Sequence, residues 1–142
     1  MSNETLINIE SASASDALDY AKYKYFAQLA RAEGQEATAL LFDAIADKKL
    51  VSALSHLKLS LGSISTKEAL EKAVEGETYE YEVMYPHFKE TAEFERRLAA
   101  SNSRPEFSEL LTKAEQQFAE AVAVASTNAS MYATMLENLP KR

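Results

Sequence analysis

A chain of 142 residues with a net charge of −7 fits one domain, residues 1–142, and is long enough to enclose a core. No segment gathers the lysine and arginine that a phosphate backbone demands, which argues against nucleic acid and against an anionic membrane surface. The lack of cysteine excludes disulfides, thiolate-held zinc, iron–sulfur centres and a four-cysteine rubredoxin iron.

The opening "MSNETLINIESASAS" has no basic region followed by an apolar run. Nowhere does an apolar run approach the roughly 20 residues needed to span a bilayer. The expectation is a soluble cytoplasmic protein. With only three Gly and three Pro against abundant Ala, Leu, Glu and Lys, the composition favours helices.

The first helix is expected to begin near the serines of "SASASDALDY" and to stop at Gly34. A second runs from about Gln35 to Gly62, with Phe42, Ala46, Leu50, Ala53 and Leu57 as its clearest apolar stripe. Ser65 and Glu68 form a capping-box signature for a third, which extends toward Ala100 and is bent by Pro86. The break "SNSRPEF" puts Pro105 in the first turn of a fourth helix, whose buried side is Phe107, Leu111, Ala114, Phe118, Ala121 and Val122. Its helical pattern continues with interruptions toward Pro140. The short link after the first helix predicts an antiparallel pair, and the third and fourth should pair likewise.

Helical spacing aligns Leu70, Ala73, Glu77, Glu80, Met84 and Phe88, which sets two carboxylates in an apolar stripe. Ionised carboxylates there need a cation or hydrogen-bond donors. The two halves also echo each other: "DALDYAKYKYF" and "ETYEYEVMYPHF" each carry two acids three apart, followed by tyrosines. The economical fold is an all-α four-helix bundle built from two helical hairpins.

The passage "EGETYEYEVMYPHF" resembles the helix-three signature of rubrerythrins, a family of ferritin-like di-iron proteins. "KYKYFAQLARAEG" resembles the end of their first helix, "LLFDAIADKK" the middle of their second and, more weakly, "LLTKAEQQFAE" a part of their fourth. The resemblance implies a ferritin-like bundle whose irons are held by a Glu on helix one, E-x-x-H on helix two, E-x-x-E on helix three and E-x-x-H on helix four. Carried over, it implies Glu77 and Glu80 on helix three, Glu115 on helix four and Asp16 in place of the helix-one Glu. Lys49 and Ser52 stand where the helix-two E-x-x-H belongs, and Phe118 where the helix-four His belongs. E-x-x-H occurs nowhere in the chain, because Ala53 lies three before His56 and Met84 three before His87.

These residues leave three arrangements open. Lys49 substitutes for metal charge in a salt-bridged cluster with Glu77, Glu80, Glu115 and Asp16; a single weakly held metal, iron or manganese, sits on the four carboxylates; or Lys49 reaches solvent. An intact di-iron centre is not expected, because an ammonium at an iron position repels a dication. The six tyrosines from Tyr20 to Tyr85 read as core-edge side chains, and His56 and His87 as surface or hydrogen-bonded helix residues. Function divides accordingly between a pseudo-enzyme acting as a binding module and a metal-binding oxidoreductase of peroxide or oxygen stress. The resemblance further implies a homodimer, and the apolar run "FAEAVAVAS" agrees with it.

Overall fold

A computed structural model describes residues 3–101 and 104–140, and every regular element among them is helical. The elements are α1 (Asn3–Ala32), α2 (Glu36–Leu61), α3 (Thr66–Tyr79), a π turn (Glu80–Met84), α4 (Tyr85–Ser101) and α5 (Pro105–Glu137). Two compact units divide the chain, Met1–Ile64 and Ser65–Arg142, and each is a helical hairpin.

In the first hairpin α1 starts at Asn3, well before the serines expected to cap it. Leu6 and Ile9 are half-buried, so packing carries the helix through this stretch. Ser13 lies inside the helix instead, and its buried Oγ donates to the Ala53 carbonyl across the hairpin at 3.0 Å. The turn is short because Gly34 takes φ +76°, and Gln35 N donates to Ala30 O at 2.8 Å. A left-handed residue there closes the end of α1 as expected. Gly62, at φ +67°, follows α2 in the same way and donates to Lys58 O.

Small residues form the seam of this hairpin. Ala39, Ala46 and Ala53 recur every seven residues on α2 and are buried, against Ser13, Ala27 and Ala30 of α1. A seven-residue repeat keeps one stripe on the partner helix, and small side chains let the backbones approach closely. The predicted stripe is therefore narrower than expected: Ala46 and Ala53 are buried and Phe42 half-buried, but Leu50 and Leu57 remain exposed. Phe42 instead packs on the first hairpin's aromatic group, 5.5 Å from Phe26 and 6.2 Å from Tyr23 between ring centroids.

The second hairpin sets the arm α3–π turn–α4 against α5. Ser65 caps α3 as its spacing predicts, accepting from Glu68 N at 3.1 Å. Where a bend at Pro86 was expected, the helix widens into the π turn, with Tyr85 N bonded to Glu80 O. Proline cannot donate to the carbonyl four residues back and its ring crowds that carbonyl, so the preceding turn takes an extra residue. Pro105 occupies the first turn of α5 as predicted, while positions 102 and 103 of the expected break lie outside the described residues. α5 then runs unbroken to Glu137. Its buried residues are Ala125 and Ala129, and α4 buries Ala92 and Ala99. Phe118 is held by aromatic contacts to Tyr85 and Phe88, at 6.3 and 5.6 Å.

Candidate functional site

The heptad phase that buries the alanines also decides what flanks them. On α2, Phe42, Ile45, Lys49, Ser52 and His56 follow at alternating spacings of three and four on one side of the seam. On α1, Asp16, Asp19, Tyr23 and Phe26 occupy the same side. The result is a polar network level with the middle of the hairpin. Ser52 Oγ donates to Asp16 Oδ2 at 2.6 Å, and Lys49 Nζ reaches Asp16 Oδ1 at 3.5 Å and Asp19 Oδ2 at 3.3 Å. His56 Nε2 lies 3.5 Å from Asp16 and 3.4 Å from Ser52 Oγ. Because the Ser52 proton is directed at Asp16, the His56 contact needs the imidazole to carry its proton on Nε2.

The electrostatics follow from these contacts. The Ser52 hydrogen bond holds the Asp16 carboxyl below its usual range against the opposing effect of burial, with Lys49 and His56 adding to it. Asp19, then Asp16, hold the Lys49 ammonium above its usual range. Lys49 is thus a firmly charged cation on two aspartates, with its side chain 35% exposed. Asp16 joins Lys49 and Ser52 as the sequence suggested. Asp19 and His56 were missed as members, although Asp19 lies three residues after Asp16 and so shares its face. No spacing rule could have found His56, whose acid comes from the other helix.

On the second hairpin Glu77 and Glu80 meet at the entrance to the π turn. Burial, and then the charge and hydrogen bond of Glu77, push the Glu80 carboxyl above its usual range. A like charge beside a half-buried carboxyl disfavours its ionised form. Neither Glu115 nor Phe118 joins them. Glu115 Oε2 accepts from Arg96 Nε at 2.9 Å. Arg96 lies sixteen residues beyond Glu80 on the same arm, about 24 Å of helical rise. Phe118, in contact with Tyr85 and Phe88, fixes the register. Since the helices are antiparallel, the α5 residues level with Glu77 and Glu80 lie near Ala125 and Ala129, a stretch with no carboxylate or imidazole. The sequence motif "LLTKAEQQFAE" therefore sits several turns from the level of the paired glutamates.

A second ionic group lies on the opposite side of the first hairpin. Asp43 accepts from Arg31 at 2.6 Å and from Lys24 at 3.3 Å, and Lys24 also reaches Asp47 at 3.7 Å. The Arg31 guanidinium is the main reason the Asp43 carboxyl lies below its usual range. Among the described residues no group of three or more His, Asp or Glu side chains is arranged to hold a metal ion, and no helix is long and apolar enough to cross a membrane. Neither the family models nor the curated proteins compared with this chain match it.

Proposed function

We propose that the chain is a single-domain, ferritin-like four-helix bundle of two helical hairpins, resembling rubrerythrins, and that it is a binding or scaffolding module rather than a di-iron peroxidase. The observation that carries the reading is the Lys49 ammonium held between Asp16 and Asp19 at 3.5 and 3.3 Å. Within the first hairpin this resident cation takes the charge-balancing part that a metal would play. Glu115 is likewise compensated by Arg96, while burial and the neighbouring Glu77 disfavour the charged form of Glu80.

These donors do not fit two irons. Two near-octahedral ions need about ten to twelve donor atoms between protein and solvent. Here Asp16 is engaged by three neighbours, Glu115 is several turns away from Glu77 and Glu80, and no E-x-x-H supplies an imidazole. One feature favours a second reading, a metal-binding oxidoreductase built on a single oxygen-liganded iron or manganese. A carboxyl pushed up by burial and a neighbouring acid gains from a cation placed beside it. Titration of the protein with Fe(II) and with Mn(II), followed by peroxide turnover, separates the two. The bundle module is expected to show no saturable two-equivalent uptake and no peroxide consumption. Two equivalents of iron with turnover would overturn it, and one equivalent that is lost in Glu80→Gln would establish the second reading.

A further inference from the structure

We infer that the groove between α4 and α5 is a binding site for a small molecule with an oxyanion group, phosphate or carboxylate, at each of its two ends. The site lies wholly within the second hairpin and takes no part in the Lys49 network. The groove, about 360 Å³, is lined by Lys89 and Arg96 of α4 and by Thr112, Glu115, Gln116 and Ala119 of α5. Lys89 and Arg96 are seven residues apart, so they share one flank of α4 with about 10 Å of helical rise between them. Helical side chains lean toward the N-terminus of their helix, and because both lean the same way the two charges stay about that far apart.

Three observations select a two-ended anion. The first is a guanidinium already set in place. Glu115 Oε2 accepts from Arg96 Nε at 2.9 Å, and both Nη groups are left without a partner among the described residues. Held by its Nε, with its side chain 34% exposed, Arg96 presents its Nη donors as the fork that a carboxylate or phosphate accepts. The second is a lysine without an acid. Lys89 is half-buried and forms no ion pair among the described residues. Glu93, one turn on, is taken by Arg97 at 2.6 Å, and Gln116 and Ala119 across the groove carry no charge. The groove therefore sets two cations against one carboxylate, a local positive surplus in a chain of net charge −7. The third is the neutral middle. One turn from Glu115 in the direction of Lys89, the small side chain of Ala119 leaves the floor open, and Gln116 adds an uncharged amide. Each cation thus takes one end of a ligand whose spacer carries no charge.

Isothermal titration of the full chain at low ionic strength tests this with adipate and fructose bisphosphate as two-ended probes. Butyrate and inorganic phosphate are their one-ended counterparts. One site per chain should saturate, with a two-ended probe bound at least about fivefold tighter than its counterpart. The tighter of the two classes identifies the oxyanion. Lys89→Gln should bring the two-ended probe down to the one-ended affinity. Ala119→Glu, which sets a carboxylate in the groove at an exposed position, should abolish binding with unchanged helical circular dichroism. This variant decides the matter if Lys89→Gln fails to fold. Lys113→Gln removes an exposed lysine paired with Glu109 elsewhere on α5 and should leave the affinity as it was. Equal affinity for one-ended and two-ended probes overturns the inference, and so does the lack of a saturable site. A loss in Lys113→Gln as large as that in Lys89→Gln overturns it too, because the attraction would then be diffuse.

Discussion

Replacing Ala46 with Leu tests whether the alanine seam holds the first hairpin together. Ala46 is fully buried, seven residues from both Ala39 and Ala53, which are also buried. An isobutyl group there adds three carbons where the two backbones meet. Overpacking of a filled position costs about 1–3 kcal/mol. The helices must also part, which stretches the 3.0 Å bond from Ser13 to Ala53 and forfeits about 1 kcal/mol more. The expected loss is therefore about 2–4 kcal/mol, a large share of the stability of a small domain. Urea unfolding monitored at 222 nm measures it as a fall in midpoint at constant slope. Ala44→Leu, on an exposed turn of the same helix, is the control and should stay within about 0.5 kcal/mol of wild type. Equal stability of the two variants would refute the seam.

Two further expectations concern charge. Glu80 has a raised carboxyl in the folded state, so its ionisation opposes folding; the stability it lends is fully present below the ordinary carboxylate range and lost as pH rises through the raised value. Glu80→Gln should therefore melt higher than wild type at pH 7 and match it at pH 3. Asp16 behaves oppositely, since its lowered carboxyl gives stability above the ordinary range that is lost as pH falls through the folded value. Lys49→Met should lower the melting temperature at pH 7, with the difference narrowing below about pH 4, and should move the Asp16 carboxyl resonance upward in an NMR titration. A Lys49→Met difference that is the same at pH 3 and pH 7 would show that the ion pair contributes nothing.

Much of the helical layout was legible because its signals are local. Gly34, Gly62, the Ser65–Glu68 cap and Pro105 each act within one turn, and each marks a boundary where the structure has one. The start of α1 was not legible, since serines read as caps and the packing of Leu6 and Ile9 is not a local property. Periodicity suggested leucines in the core, but the seam chose alanines, because close antiparallel helices exclude large side chains from the line of contact. Lys49, Ser52 and Asp16 were placed together by a resemblance of motifs. The separation of Glu115 from Glu80 depends on the register of α5, which Phe118 fixes through Tyr85 and Phe88. The one-residue insertion at the π turn is equally non-local, since Pro86 announces a disturbance without saying whether the helix bends or widens.

The most direct test of the central claim, that resident cations take the part of a metal among these carboxylates, is elemental analysis of protein isolated without chelators from cells supplied with iron and manganese. The expected result is well below one equivalent of either metal per chain, in protein whose melting temperature is unchanged by later treatment with a chelator. Two equivalents of iron per chain, with a melting temperature that falls when the iron is removed, would contradict it.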